Sequence, residues 1–163
     1  MCETVWPKLR PATNADCERV RNLVFTVLGK YGLKPDPGCT DADLKDIEQS
    51  YLQRGGAFYV LEEKHGSIVG SYGLYPMEAG TCELRKMYLH RDYRGKGHGR
   101  HMLEDALAKA KQLGFRRITL ETASVLKEAI RLYESHGFQP YRPDHLSCRC
   151  DQAYILDLER HQP

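Results

Sequence analysis

The sequence predicts an α/β (α+β) domain built on a mixed, largely antiparallel central sheet with helices on both faces. Three observations predict it. Residues 57–89 alternate short β-rich runs with turn pairs, the pattern of an antiparallel meander. Residues 97–122 switch to a helical stripe followed by a strand, an order that requires a crossover into a parallel pair. The 163 residues, 41% apolar and 28% charged, suit one domain over 1–163 that buries a core without disulfide or metal staples.

A short strand near residues 8–11 opens the chain. Asp16 or Asn14 can cap a helix whose Val20, Leu23, Val24, Val27 and Leu28 form a buried stripe, ended by Gly29 and Gly32. Residues 30–40 hold two prolines and two glycines and read as a loop. Asp41 is then placed to cap a second helix through Leu44, Ile47 and Leu52, stopped by Gly55-Gly56. Strands follow at 57–62, 68–75 and 82–89, separated by His65-Gly66 and by residues 76–80. A helix over 97–113 aligns Met102, Leu103, Ala106, Leu107, Ala110 and Leu113, with Gly114 as its C-cap. Residues 117–122 form a strand, and Ser124 caps a helix through Leu126, Ala129, Ile130 and Tyr133 that ends at Gly137. Strands at 138–141 and 153–158 close the chain, with Cys148 and Cys150 read as neighbours on one strand face.

Charge excludes some functions. A net charge of +2, from 24 basic and 22 acidic residues, lacks the concentrated positive field that nucleic-acid binding needs. No apolar run approaches the ~20 residues of a membrane span. The first ten residues include Glu3, Lys8 and Arg10 and lack the apolar core of a signal peptide, so a cytoplasmic setting with reduced thiols is expected. Cys148-Arg149-Cys150, with His145 nearby, raises the question of zinc. Zinc pairs usually separate their cysteines by two to four residues and no second pair occurs, so no metal is expected.

The most informative run is Arg94-Gly95-Lys96-Gly97-His98-Gly99-Arg100, between a strand and a helix. Three glycines let backbone approach a ligand and take positive φ. The unpaired first amides and partial positive charge of the following helix suit a pyrophosphate. A Walker loop does not fit, because no Gly-Lys-Ser/Thr follows a four-residue spacer. Glycines at 95, 97 and 99 also miss the dinucleotide fingerprint. A glycine-rich turn with solvated charges is the plain alternative.

These residues resemble the GNAT superfamily of N-acetyltransferases. Its signature is a branched apolar residue, four spacers, then Gln/Arg-x-x-Gly-x-Gly/Ala; Leu89 followed by residues 94–99 satisfies it. A second block, Ala-Ile-x-Leu-Tyr-x-x-x-Gly-Phe, is matched by residues 129–138. The resemblance is firm over about 80–140 and rests on element order before that. It implies a GNAT-like fold in which the strand before the loop splays from its parallel neighbour, leaving room for the pantetheine arm of acetyl-CoA. That arm would bond to the backbone of Met87, Tyr88 and Leu89. The pyrophosphate would lie on Gly95, Lys96, Gly97, His98, Gly99 and Arg100, with Arg94 beside them.

The resemblance also implies roles. Tyr133 would protonate the leaving thiolate, unless it is merely a core aromatic. Glu83, eleven residues before Arg94 as in histone-acetylating members, is the candidate base, unless Arg85 simply neutralises it. Glu121 is a lesser candidate, and many relatives use water chains. Family members often carry Asn where this chain has Leu126, so a side-chain contact from that helix start is in doubt; Ser124 or backbone groups could substitute. Acceptors are usually shaped by segments corresponding to 29–40 (Tyr31, Leu33, Pro35, Pro37) and 139–150 (Tyr141, Arg142, Asp144, His145). Neither is an acidic polyamine groove or an obvious histone-tail channel, and Arg85 and Arg142 hint at an acceptor with a carboxylate, such as an amino acid. The expected activity is acetyl transfer to the primary amine of a small molecule. A peptide or protein acceptor, or a non-catalytic acyl-CoA-binding module, is the alternative. The resemblance leaves room for a homodimer.

Overall fold

The computed structural model describes residues 5–160. Residues 1–4, including Cys2 and the start of the segment read for a signal peptide, lie outside them, as do residues 161–163. Seven strands form one sheet: β1 (Lys8–Pro11), β2 (Ala57–Glu62), β3 (Ile68–Pro76), β4 (Thr81–Leu89), β5 (Arg117–Thr122), β6 (Gln139–Pro140) and β7 (Gln152–Asp157). Their spatial order is β1-β2-β3-β4-β5-β7-β6. Only β4 and β5 are parallel; every other pairing is antiparallel. Three α-helices, α1 (Cys17–Lys30), α2 (His98–Gln112) and α3 (Lys127–Ser135), complete the frame.

Strand alternation divides the core between two sides of the sheet. Phe58 and Val60 of β2 join Val20, Leu23, Val24, Val27 and Leu28 of α1. Leu61, Leu74 and Leu84 join Met102, Leu103 and Ala106 of α2, with Ile118 and Tyr133. Helices therefore cover both faces.

The parallel pair is short. Its register runs Thr81↔Arg117, Cys82↔Ile118 and Glu83↔Thr119, and no pairing continues beyond. β4 then stays with β3 while β5 stays with β7. A bulge in β4 accompanies the parting: the register with β3 shifts between Ser71 and Gly73, and Lys86 takes a positive φ of 53°. A bulge bends its strand and increases local twist.

Several local expectations are corrected. Residues 41–55 are not one α-helix but a 3-10 turn (Ala42–Lys45) and a π turn (Glu48–Leu52). Asp46 interrupts at extended φ/ψ, because its carboxylate accepts the Gln49 N–H and the Asn14 side-chain amide. The wider π turn buries Tyr51 and leaves Leu52 39% exposed. Asp41 caps nothing; it serves ion pairs described below. Ahead of α1, Asp16 does not cap either, since its carboxylate binds Arg10, Arg19 and the Thr13 N–H. Ser124 is likewise drawn away from α3: its N–H and hydroxyl donate to Asp151, and α3 begins at Lys127. The strand expected at 138–141 shrinks to Gln139–Pro140. Cys148 and Cys150 lie in a turn closed by Cys150 N–H to Ser147 C=O, because Arg149 between them turns inward.

Candidate active site

Where β4 and β5 part, a cavity of about 710 Å³ opens. Residues 83–89 of β4 and Glu121 to Ala123 line its sides, and Gly95, Gly97, Gly99 and Arg100 line one end. Tyr133 of α3 and the turn at 146–150 line the rest together with Tyr31 and Cys39.

The glycine loop is shaped as an anion cradle. Gly95 and Gly97 have φ of 73° and 88°, values that disfavour any side chain, and a Cβ at either would meet open space. Gly97, at the head of α2, provides no side-chain cap, so the first N–H groups of that helix lack a side-chain partner from the N-cap. Arg94 braces the loop from behind: its Nε donates to Leu89 C=O at 3.1 Å and its Nη1 to the Tyr31 hydroxyl at 2.7 Å. Arg100 pairs with Glu104 on the surface. Lys96 and His98 lean toward the Tyr93 ring and are not among the cavity's lining residues.

Tyr133 is 5% exposed and packs against Phe138. Burial, with Tyr88 and Cys150 nearby, holds its phenol well above the ordinary tyrosine range. Glu83 is bound to Arg85, whose guanidinium also stacks on the Tyr75 ring at 3.8 Å. Glu121 differs. Burial raises its carboxyl above the ordinary range against the Ser147 N–H, which donates at 3.0 Å and pulls it down; Glu83 adds to the rise and Arg85 opposes it.

The far side is closed by a buried charge cluster. Arg149 makes a two-pronged contact with Asp41, both bonds 2.7 Å. Lys86 sits between Asp41 at 3.4 Å and Asp43 at 3.2 Å and donates to Thr40 C=O at 3.0 Å. Burial alone would raise the Asp41 carboxyl, but Arg149, the Asp36 N–H and Lys86 hold it below its ordinary value. Desolvation pushes the phenol of the half-buried Tyr88 up to about 12, against the neighbouring Arg149, which lowers it.

An anion cradle, a splayed strand pair and a buried phenol now stand along one cavity. The sequence profile of the acetyltransferase (GNAT) family matches residues 23–138. The chain belongs to that family. This GNAT chain is 40% identical over 138 residues, 82% of each chain, to an uncharacterized N-acetyltransferase of Escherichia coli. Its fold is similar to an acetyltransferase of the GNAT family from Staphylococcus aureus, with a TM-score of 0.87 at 23% identity, covering 93% of this chain and 98% of that one. It is also similar to yncA of Salmonella typhimurium, solved with its cofactor acetyl-CoA, at a TM-score of 0.70 and 23% identity, covering 96% of both chains. Among the described residues no helix of this GNAT chain is long and apolar enough to cross a membrane. Nor do three or more His, Cys, Asp or Glu side chains gather there to hold a metal.

Of the residues singled out from sequence, Glu83, Met87, Tyr88, Leu89, Arg94, Gly95, Gly97, Gly99, Arg100, Glu121 and Tyr133 share the one cavity. Sequence reasoning missed Lys86, Asp41 and Arg149. A lysine inside the strand run Thr81–Leu89 was a usable signal, since a buried cation needs partners. Asp41 and Arg149 gave none, being 108 residues apart.

Proposed function

We propose that this GNAT enzyme transfers the acetyl group of acetyl-CoA to the primary amine of a small molecule by direct attack of the amine on the thioester. The observation that carries the reading is the end of β4–β5 pairing at Glu83↔Thr119, which leaves a β4 edge free beside the cavity between the glycine loop and Tyr133. Acetyl-CoA supplies the acyl group as an activated thioester. The amides of residues 95–100 would hold its pyrophosphate, with Lys96 adding positive charge nearby, and the backbone of Met87, Tyr88 and Leu89 would orient the pantetheine arm.

Attack requires a neutral amine and a proton donor for the departing sulfur. Tyr133, kept protonated by burial, gives its proton to the thiolate as the C–N bond forms and the C–S bond breaks, and its phenolate recovers a proton from the newly acylated nitrogen. For the proton lost by the ammonium, two carboxylates line the cavity. Glu83 is committed to Arg85, while Glu121 has no cation in contact among the described residues and a carboxyl that burial raises above its ordinary range. We therefore assign proton acceptance chiefly to Glu121, with Glu83 shaping its field.

The test is acetyl-CoA calorimetry combined with thiol release over a panel of amines. Acetyl-CoA binding with amine-dependent thiol release, lowered about 100-fold in kcat by Tyr133→Phe without loss of acetyl-CoA affinity, is the expected outcome. Firm acetyl-CoA binding with no thiol release from any amine would mean a non-catalytic acyl-CoA-binding protein.

A further inference from the structure

At the acceptor end of the cavity one guanidinium is only partly used. Arg85 donates to Glu83 through Nε alone, and its two terminal nitrogens make no hydrogen bond or ion pair among the described residues. The flat face of the same guanidinium lies on the Tyr75 ring at 3.8 Å, and Arg54 Nη1 donates to the Tyr75 hydroxyl at 2.7 Å, which fixes that ring. Held along one edge and one face, the side chain presents its fork already oriented, and it stays 30% exposed. The other cations lining the cavity have their partners. Lys86 has Asp41, Asp43 and the Thr40 C=O, and Arg149 turns both prongs to Asp41. Arg94 and Arg100 stand with the glycine loop, bound to Tyr31 and Glu104. Arg142, the other guanidinium that the sequence offered for an acidic acceptor, lines a separate small pocket beside Tyr141 and Tyr154.

Strand register sets Arg85 opposite Glu121. The last parallel pair is Glu83↔Thr119, and alternation puts Arg85 and Glu121, each two residues on, on that same face. They therefore flank the gap that opens as the strands part, a carboxylate without an ion pair on one strand and an open guanidinium fork on the other. Resting on the acetyl-transfer reading above, we infer that Arg85 receives a carboxylate of the acceptor, so that the acceptor is an amine with a carboxylate close to its reacting nitrogen, as in a 2-amino acid. The fork matches the two oxygens of a carboxylate in one plane, a charge-assisted and directional contact. With the carboxylate held on β4, the nitrogen faces Glu121 on β5. A decarboxylated amine with the same side chain leaves the fork unfilled and loses that alignment.

The experiment uses matched pairs: phenylalanine with phenethylamine, tyrosine with tyramine, histidine with histamine, leucine with isoamylamine. Thiol release from acetyl-CoA, taken per unprotonated amine so that basicity cancels, is expected to favour the amino acid by at least about tenfold in kcat/KM. Arg85→Gln should bring that ratio to about one, whatever it does to the rate shared by both series, with the loss falling mainly on the amino-acid KM. Arg85→Lys, which keeps the charge without the fork, should recover only part of the preference. Calorimetry of CoA-loaded protein with the same pairs reads acceptor recognition without turnover. Amino acids that bind better than amines through Arg85, yet release no thiol, would keep the carboxylate receptor and overturn acetyl transfer. Amines that bind or react as well as their amino acids, or a preference that survives Arg85→Gln in folded protein, would overturn the receptor. Protein that binds neither series would overturn it as well, and thiol release from other amines would then leave acetyl transfer standing.

Discussion

At Tyr133 burial and chemistry act in the same direction. A phenol raised above its ordinary range stays protonated through the working pH, which a proton donor to a thiolate requires. Glu121 works with the opposite need, since a base must be ionised. Its carboxyl is raised above 4.5, so activity rises with pH through that elevated value and is lost as pH falls below it. In kcat/KM against pH, with an acceptor whose amine titrates above pH ~9, the acid-side bend should disappear in Glu121→Gln and persist in Glu83→Gln. A bend that vanished only in Glu83→Gln would transfer the role. Gly99 gives the cleanest cofactor probe. A Cβ there meets Leu132 at 3.6 Å and Leu89 at 4.0 Å, ordinary contacts, whereas Gly97 sits at φ 88° and strains with any side chain. Gly99→Val should therefore stay folded while losing most acetyl-CoA affinity, read by circular dichroism and calorimetry together.

Among the elements, the β4 bulge and the 146–150 turn do the shaping. The bulge turns Lys86 into the acid cluster, and Arg149 anchors the turn to the segment after α1 through Asp41. Removing one partner of a buried ion pair leaves an uncompensated charge. Arg149→Ala should cost about 3–5 kcal/mol, lowering Tm by roughly 6–20 °C. Arg149→Met combined with Asp41→Leu should cost less than the two single changes summed, because no bare charge remains. Strict additivity in thermal unfolding would mean that the pair does not hold the turn. This is also the scale at which periodicity misled. Leu44, Ile47 and Leu52 look helical, yet Asp46 stops the first turn and a π register buries Tyr51 in place of Leu52.

Over the whole molecule, the cavity joins α1, β4, β5, α2, α3 and the turn before β7, so a ligand filling it stabilises them together. Acetyl-CoA at about 100 times its Kd should add ~2.7 kcal/mol, raising Tm by roughly 5–11 °C. Gly99→Val should abolish that shift, and an equal shift in the variant would remove the glycine loop from the binding site.

Local chemistry made much of this protein legible in one dimension. The glycine loop, the helix behind it, the block around Tyr133 and the strand–helix–strand order all lie within short stretches, where backbone preference and apolar period act directly. The splay followed from family resemblance, and the structure locates its start at Glu83↔Thr119. What tertiary structure alone decided are matches between distant side chains: Arg149 with Asp41 across 108 residues, and Glu121 held by the Ser147 N–H with no ion pair among the described residues. Such pairings depend on which side chains the folded sheet and its loops bring within a few ångströms, and no local preference encodes that distance.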